Sequence, residues 1–436
     1  MPNHNTHLPG LRYDPSHYRH CWPVYSQAFW WPISAIWGVV SSGVYSVYQR
    51  YYEHPRQKNP NKDQKFLGRI AIVTGANSGI GRQTALCLAL KGHTVVLACR
   101  NRERGLAAEK ALNDEVSHAH HASHAGKLVF LQLDLASLQS VETFCEQFKQ
   151  RFGKLDVLVN NAGLNYSTGP SDDGFDMLFQ INYLGHFHLT VKLLPLMKAG
   201  RTQITTTTNT STSTSTSDSK AFASSPFQAS TQQKALNSPT REWVLVGNDD
   251  DDQKTTQNTT QEARIVCLSS VMHHFGHTDW ERAVYSYRES ISSYCSSKIA
   301  MILFCRALNA RLGQHGIRAI AVNPGAVRTN IWRRTPKLLM PLWDAVMRSA
   351  FLTSNQGCST SVFGACDALE DHVDYLSPYW HPSWGSLPFD VMGPYVGAHS
   401  VNPTLPNDAD KEAERLWRFS EASVRKALEA KNLQRT

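Results

Sequence analysis

Residues 70–90 read IAIVTGANSGIGRQTALCLAL, and this stretch decides the fold class. The apolar run at residues 70–73 predicts a buried strand, three glycines follow, and apolar residues then recur at helical spacing through Leu90. Glycine lets the backbone approach a ligand closely, and the following helix N-terminus offers unpaired N–H groups to a phosphate. The stretch therefore predicts a strand, a pyrophosphate-binding turn and a helix, although its Gly-x-x-x-Gly-x-Gly spacing differs from the commonest dinucleotide fingerprint.

Three further apolar runs of the chain end in polar residues or glycine. The runs cover residues 157–159, 265–268 and 319–322, and each predicts a buried strand. Ligands of open α/β sheets bind at the carboxyl ends of parallel strands, so the residues that follow these runs are candidates for one site. They are Asn160, Asn161, Ala162 and Gly163 after the first run, Ser269 and Ser270 after the second, and Asn323, Pro324 and Gly325 after the third.

A tyrosine and a lysine stand four residues apart, at Tyr294 and Lys298. This spacing places both side chains on one face of a helix. A free phenol has a pKa near ~10, and a nearby ammonium favours the phenolate, so we expect Lys298 to lower the pKa of Tyr294. The pair alone is weak evidence of catalysis, because many surface helices carry this spacing by chance.

Taken together and in this order, the motifs resemble the short-chain dehydrogenase/reductase family over roughly residues 66–335. Within that family, residues 180–187, the pair His273 and His274, and residues 294–304 look most like retinol dehydrogenases and related membrane-associated reductases. The resemblance implies an α/β fold: a single Rossmann-type, doubly wound parallel sheet with helices on both faces. It also implies an oxidoreductase acting on alcohol or carbonyl groups.

The resemblance assigns catalytic roles to four residues. Tyr294 would be the acid in reduction and the base in oxidation, and Lys298 would tune it and bind the nicotinamide ribose. Ser270 would hydrogen-bond the substrate oxygen, with Ser269 as the runner-up. Asn182 would interrupt its helix and hold a water of the proton relay, and a structural asparagine at a helix bend is the alternative.

The predicted cofactor is NADP(H). The second strand ends in Arg100, where an NAD-selective enzyme usually carries Asp or Glu, and an arginine can pair with the 2′-phosphate of NADP. By resemblance, Asp134 and the backbone of Leu135 would bind the adenine, although Asp134 could also be a helix N-cap. The other predicted cofactor contacts are Gly75, Asn77, Ser78, Gly79, Ile80 and Gly81 of the glycine turn, Asn161, Ala162 and Gly163, Tyr294 and Lys298, and Pro324, Gly325, Val327 and Thr329.

The 436-residue chain is longer than its catalytic core requires. Residues 1–65 are predicted to be an N-terminal extension, and residues 66–436 the catalytic domain, interrupted by a Ser/Thr-rich insertion at 201–262. The insertion cannot bury enough apolar surface to offset the entropy of ordering it, so we predict that most of it is disordered. Its aspartate run at 249–252 is predicted to be a solvated acidic loop, with a metal site as the alternative.

Residues 22–49 contain no charged side chain and are rich in Trp, Val and Ile. The segment is long enough to cross a hydrocarbon core of ~30 Å, so we predict a membrane anchor. An interfacial helix, a docked segment and a signal peptide are the alternatives. Basic residues are more frequent after the segment than before it, which favours a catalytic domain that faces the cytosol. The predicted membrane is that of the endoplasmic reticulum or a lipid droplet.

The composition of the chain narrows the classes of partner that the protein could bind. A net charge of +8 without a basic stripe of interleaved aromatics favours a membrane surface or a phosphorylated cofactor over nucleic acid. Nine cysteines, most of them in predicted strands or helices, indicate reduced buried thiols, and no spacing suggests a zinc site. The histidines at 118–124 are predicted to lie in an exposed loop, with adventitious metal binding as the alternative. A homodimer is an option.

Residues 331–351 correspond, by resemblance, to the family's variable substrate lid. Their aromatic and aliphatic content favours a hydrophobic substrate, although a packed helix would look the same. We therefore predict an NADP(H)-dependent carbonyl reductase or alcohol dehydrogenase for a lipophilic alcohol, aldehyde or ketone such as a retinoid, a sterol or a polyprenoid. The alternative is an NADP(H)-sensing interaction protein that recruits partners through the 201–262 insertion.

Overall fold

The computed structural model describes residues 66–119, 125–209, 262–285, 287, 290–329, 351–367, 369, 373–378, 398–400 and 402–433. Segment 22–49, most of the 201–262 insertion and residues 331–350 of the predicted lid lie outside these residues, so the hypotheses about them stay predictions. Among the described residues, no helix is long and apolar enough to span a bilayer.

A single sheet organises the described part of the chain, with the spatial order β3-β2-β1-β4-β5-β6-β7-β8. The strands are β1 Ile70–Thr74, β2 Thr94–Cys99, β3 Leu128–Gln132, β4 Val157–Asn160, β5 Ala263–Leu268, β6 Ile317–Val322, β7 Tyr375–Ser377 and β8 His399–Ser400. The first seven are parallel, and β8 pairs antiparallel with β7 at the edge. The predicted doubly wound parallel sheet is confirmed, and its strand order reverses between β1 and β4, where such sheets bind ligands.

Helices cover both faces of the sheet. They are α1 Gly79–Leu90, α2 Arg102–Ser117, α3 Leu138–Phe152, α4 Met177–Phe179, α5 Gly185–Asn209, α6 Trp280–Tyr285, α7 Ser290–Leu312, α8 Ser354–Gly357, α9 Ser359–Cys366 and α10 Ala409–Leu433. A π turn, Gln180–Leu184, joins α4 to α5, and a 3₁₀ turn, Val271–Phe275, follows β5. Helices α1, α2 and α9 bury their apolar faces in one core, whereas α3, α5, α7 and α10 share the other.

Parallel strands buried on both faces read as continuous apolar runs, and β1, β4 and β5 are fully buried along their length. These strands could therefore be recognised in the sequence although apolar and polar residues do not alternate along them. The eight described cysteines are free thiols and six are buried, as predicted for a reduced protein. His118 is exposed at the end of α2.

Candidate active site

The turn after β1 requires its glycines for two different reasons. Gly75 and Gly79 have φ values of 66° and 58°, in the left-handed region that glycine adopts without strain. Gly81 has an ordinary helical backbone, but a Cβ there would lie 2.4 Å from Asn161 Nδ2 and 2.7 Å from the Gly75 carbonyl oxygen. The first two glycines therefore shape the turn, and the third lets α1 pack against the end of β4.

The N-terminus of α1 is built differently from those of the next two helices. Asn101 caps α2 and Ser137 caps α3, each accepting a hydrogen bond from a first-turn N–H group. Ser78 occupies the same position before α1, with extended backbone, yet its side chain accepts no bond from that helix. The first-turn N–H groups have no intrahelical acceptor, so this end fits a pyrophosphate. Asn77 and Ile80 are half-buried beside it.

Thr74, the last residue of β1, was not among the predicted site residues. Its hydroxyl oxygen accepts hydrogen bonds from the N–H groups of Asn161 and Ala162, both at 2.9 Å. Asn161 Nδ2 donates in turn to the Thr74 carbonyl oxygen at 2.7 Å. Thr74 thereby joins the end of β4 to the glycine turn. A polar residue closing an otherwise apolar strand was the signal that could have identified it.

The remaining predicted cofactor contacts lie along the same edge of the sheet. A Cβ at Gly163 would lie 3.8 Å from Lys298 Nζ, and one at Gly79 would lie 3.4 Å from the Thr329 methyl group. Gly325, after Pro324, has a φ of 78°. The Val327 side chain packs against Gly357, where a Cβ would meet it at 2.4 Å, so Val327 could reach a cofactor through its main chain.

Arg100 is exposed directly after β2, and its side chain makes no hydrogen bond or ion pair with any residue that the structure describes. Asp134 is half-buried beyond β3. Its Oδ1 accepts from the Ala136 N–H at 3.0 Å. Ser137 caps α3, so the alternative of Asp134 as the N-cap is wrong. Leu135 is buried in the core, 5% exposed.

Asn182 lies at the centre of the π turn, where the helical hydrogen-bond pattern is interrupted as predicted. Its Oδ1 accepts from the Leu164 N–H at 2.7 Å, and its Nδ2 donates to the Leu164 carbonyl at 2.9 Å and to Ser297 Oγ at 3.1 Å. The side chain is therefore fully used in holding the segment after β4. Asn182 is thus a structural asparagine at a break in the helix, as the alternative interpretation of its side chain described.

Lys298 Nζ lies 5.5 Å from the centre of the Tyr294 ring, so α7 brings the pair together as the spacing predicted. The ammonium also donates to the Leu268 carbonyl at 3.0 Å, at the end of β5. Burial lowers the pKa of Lys298 to about 8. Lys298 still carries its charge at neutral pH.

The two serines after β5 have different environments. Ser269 is 2% exposed, and its hydroxyl donates to the Lys298 carbonyl at 2.8 Å, so it is a structural residue of the β5–α7 contact. Ser270 is half-buried; its Oγ accepts from the Met272 N–H at 3.3 Å, and its hydroxyl lies close enough to Tyr294 to lower the pKa of that phenol. This difference favours Ser270 over the runner-up Ser269 as the residue that hydrogen-bonds the substrate oxygen.

One expectation about this pair was wrong. Burial raises the pKa of Tyr294 to about 12, although the nearby Ser270 hydroxyl acts in the opposite direction. This is the opposite of the lowering that the nearby ammonium of Lys298 predicts. The buried site disfavours the charged form of either group, so it raises the pKa of the phenol and lowers that of the ammonium. Tyr294 is consequently protonated at neutral pH.

A parallel sheet whose first strand runs into this glycine turn, with a tyrosine and a lysine meeting beside the end of β5, defines the class of short-chain dehydrogenases. Residues 69–243 and 259–338 match the family model described as short chain dehydrogenase, and the chain belongs to this family of oxidoreductases. The resemblance to its retinol dehydrogenase branch is confirmed by relatives of similar length.

Retinol dehydrogenase 14 of Mus musculus is 32% identical over 378 residues, which cover 85% of this chain and 90% of that protein. Retinol dehydrogenase 13 of Homo sapiens is 33% identical over 355 residues, covering 80% and 82%. Among solved structures, an uncharacterized protein from Mycobacterium Paratuberculosis aligns with a TM-score of 0.52 at 23% identity, over 84% of this chain and 97% of that one. This last similarity shows the fold alone.

Proposed function

We propose that the protein is an NADP(H)-dependent carbonyl reductase or alcohol dehydrogenase for a lipophilic substrate of retinoid, sterol or polyprenoid type. One observation carries the proposal: Ser270, Tyr294 and Lys298 meet at the end of β5, with Asn182 bonded to the same helix, in a sheet whose first strand leads into a helix N-terminus without a side-chain cap. All four positions of the family's catalytic set are filled by the expected residue types.

A bound nicotinamide would supply the hydride that adds to the carbonyl carbon in reduction. Tyr294 donates the proton to the carbonyl oxygen, which its pKa of about 12 permits because the phenol is protonated at neutral pH. Ser270 can donate to that oxygen and hold it beside the phenol. Lys298 balances the negative charge that develops on Tyr294 after the transfer. The reverse sequence oxidises the alcohol.

The direct test is turnover by the purified full-length protein with NADPH across retinal, steroid ketones and polyprenals. We expect NADPH consumption with at least one of these classes. If no lipophilic carbonyl is reduced and no matching alcohol is oxidised with NADP⁺, the proposal fails.

The alternative of an NADP(H)-sensing interaction protein has no specific observation in its favour, because its recruiting insertion lies outside the described residues. Membrane attachment through residues 22–49 stays a prediction.

Replacing Arg100 with aspartate is expected to raise the Kd for NADPH by about 10- to 100-fold, because a charge-assisted hydrogen bond contributes about 1.5–3 kcal/mol. The Kd for NADH should change little or fall, since Asp can accept from a ribose 2′-hydroxyl. Fluorescence titration with both cofactors measures this. Lys110→Asp is the matched control, since it makes the same charge change at an exposed position of α2. Equal losses for NADPH and NADH would remove the role of Arg100.

The proposal of a lipophilic substrate is supported by Ile291. This side chain is 73% exposed in the first turn of α7, which is unusual for isoleucine. It precedes Tyr294 by three residues and Lys298 by seven, so the helical repeat places all three on one face. An apolar group directly beyond the proton donor is suited to contact the hydrocarbon part of a substrate whose oxygen lies at Tyr294.

We expect Ile291→Ser to raise the KM for a long apolar aldehyde by about 10-fold or more, because burying an aliphatic side chain contributes about 1.5–3 kcal/mol. The kcat/KM for a short, water-soluble aldehyde should be unchanged. Leu433→Ser serves as the control, as Leu433 is 77% exposed at the end of α10. A loss of the same size for both aldehydes would argue against contact between Ile291 and the hydrocarbon.

A further inference from the structure

His186 is a fully buried histidine in the first turn of α5, one turn after Asn182. Its two ring nitrogens face two different parts of the site. Nδ1 lies 3.2 Å from the main-chain carbonyl oxygen of Asn182, and Nε2 lies 2.9 Å from Thr74 Oγ1.

The contacts of Thr74 determine which nitrogen of His186 carries the proton. A threonine hydroxyl has one hydrogen to donate and two lone pairs. The N–H groups of Asn161 and Ala162 use both lone pairs. The hydroxyl hydrogen must therefore be donated, and His186 Nε2 at 2.9 Å is nearer than the Val159 carbonyl at 3.4 Å.

It follows that Nε2 is the acceptor and Nδ1 carries the proton, which it donates to the Asn182 carbonyl. Burial lowers the pKa of His186 to about 3, so the ring is neutral at any pH at which the protein would be assayed. A neutral ring with one donor and one acceptor matches its two partners without an unsatisfied atom. Any other protonation state would place two donors, or two acceptors, against each other.

The ring connects three parts of the site that come from distant positions in the chain. Through Thr74 it reaches the glycine turn and the end of β4, and through the Asn182 carbonyl it reaches the π turn. The Asn182 side chain is already held by Leu164 and Ser297. His186 is thus the contact that orients the main chain of Asn182 relative to the cofactor-binding turn.

We propose that His186 is a positioning residue that, as the neutral Nδ1–H tautomer, links the π turn of Asn182 to the glycine turn through Thr74. The proposal deepens the proposed function and rests on it for its kinetic consequence. A small displacement of a positioned group lowers turnover even when the group that moved does not touch the substrate.

The kinetic test is His186→Phe, which keeps a planar ring of similar size and removes both hydrogen bonds. We expect kcat with NADPH and the best aldehyde to fall by about 10- to 100-fold. His188→Phe is the matched control. It removes a buried histidine two residues further along α5, whose Nε2 bonds Glu142 at 2.8 Å, and it should leave kcat unchanged.

A double-mutant cycle separates positioning from packing. If His186 acts through Thr74, the double variant of His186→Phe and Thr74→Val should have a kcat within about threefold of the slower single variant. Losses that multiply would indicate independent packing defects and overturn the proposal. Wild-type kcat in a folded His186→Phe protein would overturn it as well.

The tautomer can be read without any variant, from the ¹⁵N chemical shifts of the full-length protein labelled at histidine. We expect His186 to show a protonated Nδ1 and an unprotonated Nε2, and the opposite assignment would overturn the inference even if His186→Phe fails to fold. This measurement needs no activity. An inactive wild-type protein would therefore refute the proposed function while leaving the tautomer of His186 testable.

Discussion

Tyr294→Phe is expected to lower kcat for carbonyl reduction by about 10²- to 10⁴-fold, the range that a positioned general acid contributes. The variant removes one oxygen atom and retains the ring that lies 5.5 Å from Lys298 Nζ. Ser270 can still bind the substrate oxygen, but phenylalanine at position 294 has no hydroxyl to deliver the proton. The affinity for NADPH should change little, since the glycine turn is untouched. Stopped-flow single turnover with NADPH measures the chemical step directly.

Tyr287→Phe is the matched control for this experiment. Tyr287 lies just before α7 and donates its hydroxyl hydrogen to the Gly174 carbonyl at 3.0 Å, so the variant also removes one phenol hydrogen bond. The kcat of this variant should stay within about twofold of the wild type, because the Tyr287 hydroxyl is bonded to the backbone and takes no part in the proton transfer. Undiminished NADPH consumption by Tyr294→Phe would contradict the mechanism, whatever the control shows.

Lowering the pH from 7 to 5 is expected to reduce the free energy of unfolding by about 5 kcal/mol, through the buried histidines. Burial lowers the pKa of His93 to about 4, and those of His186 and His273 to about 3. All three side chains are at most 1% exposed. Burial also lowers the pKa of His188, which adds to the effect in the same direction.

The sign follows from proton uptake. In the unfolded chain a histidine has a pKa near ~6.5, so below that pH the unfolded state binds protons that the folded state excludes. The stability contributed by neutral burial is fully present above pH 6.5 and is lost as the pH falls from 6.5 towards about 4 for His93 and about 3 for His186 and His273. Urea unfolding at pH 7, 6 and 5 should show midpoints that fall with pH at an unchanged slope.

His93→Phe provides the internal control for this dependence. The His93 ring stacks on Phe66 with centroids 5.0 Å apart, and its Nε2 has no hydrogen-bond partner among the described residues, so phenylalanine keeps the stacked ring and loses only the 3.1 Å contact of Nδ1 with the Leu88 carbonyl oxygen. The free energy of unfolding of this variant should lose about a third of its pH dependence, because one of the three buried neutral histidines is replaced. An unfolding free energy that stays constant between pH 7 and 5 would contradict the assignment of these histidines as neutral.

The local elements of this fold were predictable because their causes are local. Gly75 and Gly79 are needed for the backbone of the turn itself, and a buried parallel strand such as β5 needs apolar residues at every position. The spacing of Tyr294 and Lys298 fixes their relation on one helix. Each of these signals lies within a few residues of the feature that it predicts.

The contacts of the site could not be predicted in the same way. Thr74 and His186 are separated by 112 residues, and they meet because β1 and the helix after the π turn converge at one edge of the sheet. Ser269 and Ser270 are adjacent and chemically identical, and the direction in which the strand ends decides that Ser269 bonds the backbone of α7 and Ser270 faces Tyr294.

The sequence by itself determined the family, the parallel sheet, the glycine turn and the presence of a tyrosine and a lysine on one helical face. The tertiary structure alone decided the protonation of the groups in the site. Burial raises the pKa of Tyr294 to about 12 and lowers that of Lys298 to about 8, opposite to what their proximity would suggest for the tyrosine. The physical reason is that desolvation depends on all the atoms packed around a group, and that packing comes from the folded chain as a whole.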